Sequence, residues 1–79
     1  MKKVIEVIEF IVKYLVDFPD KVKIIEKKDD NFIILEIRVD SKDIGKIIGR
    51  QGRVIKAIRK IVKASTIKNN RKIGIEIIE

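Results

Sequence analysis

Residues 43–59 read DIGKIIGRQGRVIKAIR, and they are the most informative part of the sequence for the fold. It contains a Gly-x-x-Gly turn, Gly49-Arg50-Gln51-Gly52, between two segments whose apolar residues recur at helical spacing. Glycine has no Cβ, so the backbone amides of such a turn can approach a ligand closely. A helix that begins directly after the turn points its free N–H groups to the same place. The pattern therefore predicts a binding site for a phosphate group.

The length and composition of the chain exclude several classes of protein. The chain has 79 residues with no cysteine and no histidine, which suits one small domain and provides no disulfide and no thiolate or imidazole ligand for zinc or haem. The apolar amino-terminal stretch is interrupted by Glu6, Glu9 and Lys13 and has no small-residue cleavage site, so it is not expected to be a signal peptide. No stretch is long enough to span a membrane. We expect a cytoplasmic protein without a cofactor.

Positive charge is concentrated around the glycine turn. The net charge is +7, and eleven of the nineteen Lys and Arg residues lie between Lys42 and Lys72, where Asp43 is the one acidic residue. A basic region with an anion-shaped turn inside it favours a polyanionic partner, with an affinity that falls steeply as salt rises. The alternative is a solvated basic surface that only keeps a small protein in solution.

The amino-terminal third predicts a helix over about residues 3–17, since apolar residues recur there at helical spacing. Its polar residues form one narrow stripe, so the apolar surface covers more than half of the circumference. Either other elements of the domain wrap this helix or part of it meets another protein. Pro19 ends the helix in a turn.

Two strands are predicted next, Val22–Lys27 and Phe32–Val39, joined by a hairpin turn at residues 29–31. The second strand alternates between an apolar face and a mixed face; the apolar residues are Ile33, Leu35, Ile37 and Val39, and the others are Phe32, Ile34, Glu36 and Arg38. Asp40 is expected to cap a short helix that ends at Ile48, with Asp43 as an acid in its first turn.

A further helix is predicted from the glycine turn to about Ser65, followed by a turn at Asn69-Asn70 and a strand over Lys72–Ile78. The strand places Ile73, Ile75 and Ile77 on one face. The helix has two sides; the apolar side holds Val54, Ile55, Ile58, Ile61 and Val62, and the opposite side holds Arg53, Lys56, Arg59, Lys60 and Lys63. This helix is the third along the chain, so we label it α3 and call its five basic residues the α3 stripe. They are either solvated surface or part of a binding site.

The element order α-β-β-α-α-β, with Gly49–Gly52 between two helices, resembles a type II KH domain. The whole length is similar to the small single-KH proteins of bacteria, the KhpA-type family, including the segment 15–19 that leads into the sheet. Phe18 departs from that pattern, since a polar residue or histidine is expected there. The resemblance implies an α+β fold, with a three-stranded sheet that carries three helices on one face, and one KH domain over residues 1–79.

The resemblance also implies binding of single-stranded RNA, with about four nucleotides held beside the glycine turn. The expected RNA-binding residues are Gly49, Arg50, Gln51, Gly52, Arg53, Lys46, Lys56, Ile48 and Ile44. The polar ones donate to phosphate oxygens, and the isoleucines lie beneath the bases. Ile47 and Ile55 could share that floor, but a core position is favoured for both. Gly45 could instead allow close packing between helix and sheet.

Three classes of function remain open. The first is an RNA-binding module that acts as an RNA chaperone or post-transcriptional regulator, and the resemblance implies a homodimer or a heterodimer with a second KH-containing protein. The second is an assembly domain that binds mainly protein. The third, an enzyme, is disfavoured, because the chain has no plausible pair of nucleophile and base and the turn is not a Gly-x-x-x-x-Gly-Lys-Ser/Thr phosphate loop. Single-stranded DNA remains an alternative ligand.

Overall fold

The computed structural model describes residues 2–65 and 72–79, and the predicted turn at Asn69-Asn70 lies outside them. In chain order the elements are α1 (Lys2–Leu15), β1 (Lys23–Lys28), β2 (Phe32–Arg38), α2 (Ile44–Ile48), α3 (Arg53–Ser65) and β3 (Lys72–Ile78). Short 3₁₀ turns occupy Pro19–Lys21, Ser41–Asp43 and Arg50–Gly52. None of the helices in these two ranges has the length and hydropathy needed to cross a bilayer.

The first helix ends two residues earlier than its apolar spacing predicts. Val16 still donates its N–H to the carbonyl of Val12 at 3.2 Å. The next two N–H groups, of Asp17 and Phe18, instead donate to the two carboxylate oxygens of Asp43, at 3.1 and 3.0 Å. A distant side chain therefore satisfies the backbone beyond α1, and Pro19 could not have continued the helix.

The three strands form one mixed sheet in the order β1-β2-β3. β1 runs antiparallel to β2, and Asp29 closes the predicted hairpin by accepting hydrogen bonds from the N–H groups of Asn31 and Phe32 at 2.7 and 3.0 Å. β3 runs parallel to β2, so the chain needs a crossover between them, which α2 and α3 provide. β1 lies one residue later than predicted, and β2 ends one residue earlier.

One face of the sheet is covered by the helices. Ile33, Leu35 and Ile37 of β2 are buried, which confirms the predicted apolar face. They share one core with residues from all three helices and from β3, namely Ile8, Val12, Ile47, Ile58, Val62 and Ile75. The predicted α+β architecture and element order are thus confirmed, and they are those of a type II KH fold.

No helix of residues 2–65 or 72–79 covers the opposite face of the sheet, yet this face buries a carboxylate. Glu36 retains only 4% of its surface exposed, beneath an ion pair with Lys27 and 3.7 Å from the guanidinium of Arg38. The hydrogen bond from Lys27 outweighs the opposing effect of burial and lowers the pKa of Glu36. The sequence predicts that this face is partly open to solvent, and Glu36 is a buried residue on it.

Candidate nucleic-acid interface

The glycine loop, residues 49–52, joins α2 to α3 through a sharp turn. Gly49 and Gly52 have φ angles of 75° and 72°, in the region that favours glycine. The N–H of Gly49 donates to the carbonyl of Gly45 at 2.9 Å, and the N–H of Gly52 donates to the carbonyl of Gly49 at 3.2 Å. The loop is therefore an ordered turn that begins where α2 ends.

Gly49 is required for two reasons. Its positive φ disfavours any other residue, and a Cβ at this position would lie 2.5 Å from Cγ2 of Val54. That distance is far below a normal carbon contact, so a side chain at 49 would push the loop away from α3. At Gly52 a Cβ would meet nothing closer than 3.8 Å, so only the backbone angle requires glycine there.

Gln51 lies at the tip of the loop with φ 56° and ψ 26°, and it is the one residue other than glycine with positive φ in the described ranges. This left-handed conformation costs an L-residue roughly 1–2 kcal/mol. Strain of this kind is found preferentially at binding and catalytic sites. Arg50 and Gln51 are both exposed. The loop thus holds one cationic and one amide side chain in solvent on a fixed backbone.

The start of α3 adds further donors beside the loop. The N–H of Arg53 donates to the carbonyl of Arg50, and the N–H groups of the following turn have no carbonyl of their own helix to bond. Arg53 and Lys56 are exposed. Cε of Lys56 lies 3.9 Å from the position that a Cβ on Gly52 would occupy, so this side chain folds back toward the loop. Two exposed cations and the N-terminus of α3 therefore lie next to the loop in the chain.

The four isoleucines near the loop divide between core and surface. Ile47 is fully buried, as favoured from the sequence, and belongs to the core. Ile55 and Ile44 are partly buried and pack against that core. Ile48 is 40% exposed and directly precedes the loop. Ile48 is consequently the most exposed of the four, and Ile44 is only partly accessible.

Lys46 lies on α2 but is engaged within the protein. Its ammonium group forms an ion pair with Asp17 and lies 3.6 Å from Oδ1 of Asp43. The Asp17 carboxylate is the main cause of a raised pKa of Lys46. The structure therefore gives this predicted RNA-binding residue an intramolecular partner, at the junction between α2 and the turn after α1.

Asp43 is the residue near the site whose role the sequence reasoning missed. It was predicted to be an acid in the first turn of a helix, but it is fully buried and accepts the N–H groups of Asp17 and Phe18. One feature of the sequence could have indicated this role, since Asp43 is the one acidic residue in a strongly basic stretch. Asp40 behaves as predicted, since its side chain caps the chain by accepting the N–H of Lys42 at 2.9 Å.

Gly45 does not serve close packing. A Cβ placed on it would have no atom within 4 Å, and the residue is exposed. The close-packing alternative is therefore wrong, and nothing in the structure explains a requirement for glycine at this position.

The fold and the loop together define a KH domain. A Gly-x-x-Gly turn joins α2 to α3, and these two helices form the crossover connection between the parallel strands β2 and β3 of a type II sheet. The family profile described as KhpA/KhpB, KH domain matches residues 5–77. The chain belongs to this family. This confirms the resemblance stated from the sequence, and it confirms that the chain is not an enzyme.

Several curated relatives are similar over nearly their full length. The chain is 51% identical to "RNA-binding protein KhpA" of Clostridium perfringens, over 92% of this chain and 97% of that protein. It is 49% identical to the protein of the same name from Borreliella burgdorferi, over 95% and 92% of the two chains. The corresponding Listeria monocytogenes protein is 46% identical over 94% and 97%. No solved structure shows a significant match.

Proposed function

We propose that this protein binds single-stranded RNA at the glycine loop. The observation that carries the proposal is a hydrogen-bonded turn with two glycines at positive φ and exposed Arg50, Gln51 and Arg53 around it. Relatives that cover nearly the whole chain are named RNA-binding proteins, which supports RNA as the polyanion. The biological role that follows is that of an RNA chaperone or post-transcriptional regulator in the cytoplasm.

In this proposal the sugar-phosphate backbone lies against the loop. Gly49 and Gly52 allow the close approach, while Arg50, Gln51, Arg53 and Lys56 donate to phosphate oxygens. The bases rest on aliphatic surface formed by two isoleucines, Ile48 and Ile44. Lys46 can bind a phosphate only after its ion pair with Asp17 is broken. We therefore place Lys46 at the edge of the site. Affinity from phosphate contacts alone is expected to be about 10⁻⁴ to 10⁻⁶ M.

The test of this proposal is binding of labelled RNA to the wild-type protein at several salt concentrations. We expect single-stranded RNA to bind with a logarithmic salt slope of about −0.7 for each phosphate contacted. Duplex RNA of the same sequence serves as the control, because its bases are not available to the loop. Equal affinity for the single strand and the duplex would show that charge alone drives binding and would contradict the proposal.

A second surface supports the proposed pairing with another KH chain. On α1, Val7, Phe10 and Tyr14 are 49%, 73% and 83% exposed and fall on one side of the helix. Ile61, which the sequence places on the apolar side of α3, is 39% exposed. The other elements therefore wrap only part of α1. Large apolar side chains at this exposure are typical of surfaces that meet a partner, which is either a second copy or a second KH-containing protein.

The homodimer predicts that Phe10→Glu/Tyr14→Glu will be monomeric under conditions in which the wild type dimerises. Both positions are exposed, so the fold is retained while two charges are placed in the interface. Sedimentation equilibrium over a range of concentrations measures this. The control Lys2→Gln/Lys3→Gln makes the same change in net charge elsewhere on α1, and its molecular mass in solution should equal that of the wild-type dimer. A wild type that remains monomeric throughout would leave only the heterodimer.

A further inference from the structure

The third helix extends the basic surface well beyond the glycine loop. α3 begins directly after the loop and runs for 13 residues, with five basic residues and no acidic one. From Arg53 to Lys63 it rises by about 15 Å. All members of the α3 stripe are exposed, whereas Ile58 and Val62 on the opposite side are buried. The stripe therefore faces solvent along the full length of the helix.

Four cations of the stripe, Arg53, Lys56, Arg59 and Lys60, are not neutralised by acids in the part of the chain that the structure describes. In residues 2–65 and 72–79, no ion pair involves any of these four. Among the acids elsewhere in the chain, Glu9 is paired with Lys13 and Glu36 with Lys27. Cations three and four positions apart on one helix repel one another. A polyanion laid along the stripe would relieve this repulsion.

Lys56 connects the stripe to the loop. Its side chain folds back toward Gly52, while its Cα lies one turn into α3. Lys60 follows at i+4 and Lys63 three positions later, so these three side chains form a continuous row, with Arg59 beside it. A nucleic-acid backbone that leaves the loop at Lys56 meets the next cation within one helical turn.

We propose that the RNA path continues from the glycine loop along α3, with phosphates of further nucleotides bound by Arg59, Lys60 and Lys63. This inference rests on the proposed function, because it takes the loop as the first part of the path. The loop holds about four nucleotides, and the stripe adds contacts to phosphates only. Longer RNAs therefore bind more tightly than a tetranucleotide, without added base preference.

The experiment compares a tetranucleotide with an oligonucleotide of about twelve nucleotides of single-stranded RNA, since about four nucleotides fill the loop. The variant is Arg59→Gln/Lys60→Gln/Lys63→Gln, which keeps good helix formers in α3. The control, Lys2→Gln/Lys3→Gln/Lys23→Gln, removes the same charge from α1 and β1. We expect the stripe variant to bind the long RNA about fivefold or more weakly than the control does, with a salt slope shallower by about 2. Its affinity for the tetranucleotide should match that of the control.

Two results would overturn the inference. The first is an equal loss of long-RNA affinity in the stripe variant and the control, which would make net charge the cause. The second is an equal loss for both RNA lengths, which would place the stripe within the loop site rather than beyond it. Failure of the proposed function has a different signature, namely tetranucleotide binding that does not respond to substitution of Arg50 and Gln51.

Discussion

Arg50→Asp/Gln51→Asp is expected to lose nearly all affinity for single-stranded RNA while remaining folded. Both side chains are exposed at the tip of the loop, so no core contact is lost. Aspartate also tolerates the left-handed conformation of Gln51 better than most residues. The two carboxylates repel the phosphates that the loop would hold, and we expect an affinity lower by about 100-fold or more. Fluorescence anisotropy measures the affinity, and circular dichroism checks the fold.

The matched control for this variant changes the net charge equally at a distant place. Lys2→Asp/Lys3→Gln does so at the start of α1 and should lower affinity only slightly. Equal losses in the two variants would mean that RNA responds to overall charge rather than to the loop. Undiminished binding by the loop variant would exclude the loop as the site. If partner binding also persisted, the assembly-domain alternative would be favoured.

Asp43→Asn is expected to lower Tm by roughly 10 °C at neutral pH, because a buried acceptor of two backbone N–H groups is replaced by an amide with one oxygen. The amide nitrogen would face a backbone donor that it cannot satisfy. The loss should loosen the turn after α1 and the segment that enters α2. Thermal unfolding followed by circular dichroism measures the effect. Asp30→Asn is the control, since Asp30 is exposed, and its Tm should remain near that of the wild type.

The same residue gives the stability a pH dependence of known sign. Burial opposes the charged form of Asp43, but the N–H groups of Asp17 and Phe18 and the ammonium of Lys46 outweigh it and lower the pKa below the ordinary 3.8. The stabilisation is therefore complete above the unfolded pKa and is lost as pH falls through the folded pKa. Wild-type Tm should fall more steeply below about pH 4 than that of Asp43→Asn. Parallel curves would show that Asp43 carries no such charge effect.

Much of the fold could be predicted because its signals are local. Alternation in β2 and β3, helical spacing in α1 and α3, and the cap at Asp40 all depend on residues close in sequence. The glycine loop was also predictable, since Gly49 and Gly52 need a backbone angle that only glycine adopts easily. These local rules agree with one another, and the element order that they predict, with the glycine loop inside it, resembles a KH domain.

What could not be predicted depends on residues distant in sequence. The end of α1 depends on Asp43, which lies 25 residues after Phe18. Lys46 looks like a free cation in the sequence, but the fold brings Asp17 to it. Glu36 looks like an exposed residue on an open sheet face, yet neighbouring strands bury it. Phe10 and Tyr14 are exposed because the other elements cover only part of α1. Patterns of residues close in sequence cannot predict contacts between such distant parts of the chain.

Amide mapping by NMR would show whether RNA binds at the glycine loop. Titration of ¹⁵N-labelled protein with a single-stranded tetranucleotide would locate the contact residue by residue. We expect the largest amide shifts at Gly49, Arg50, Gln51, Gly52 and Arg53 and, in a ¹³C-labelled sample, shifts of the methyl groups of Ile48. Largest shifts on α1 around Phe10 and Tyr14, or on the open face of the sheet around Phe32, would contradict this expectation.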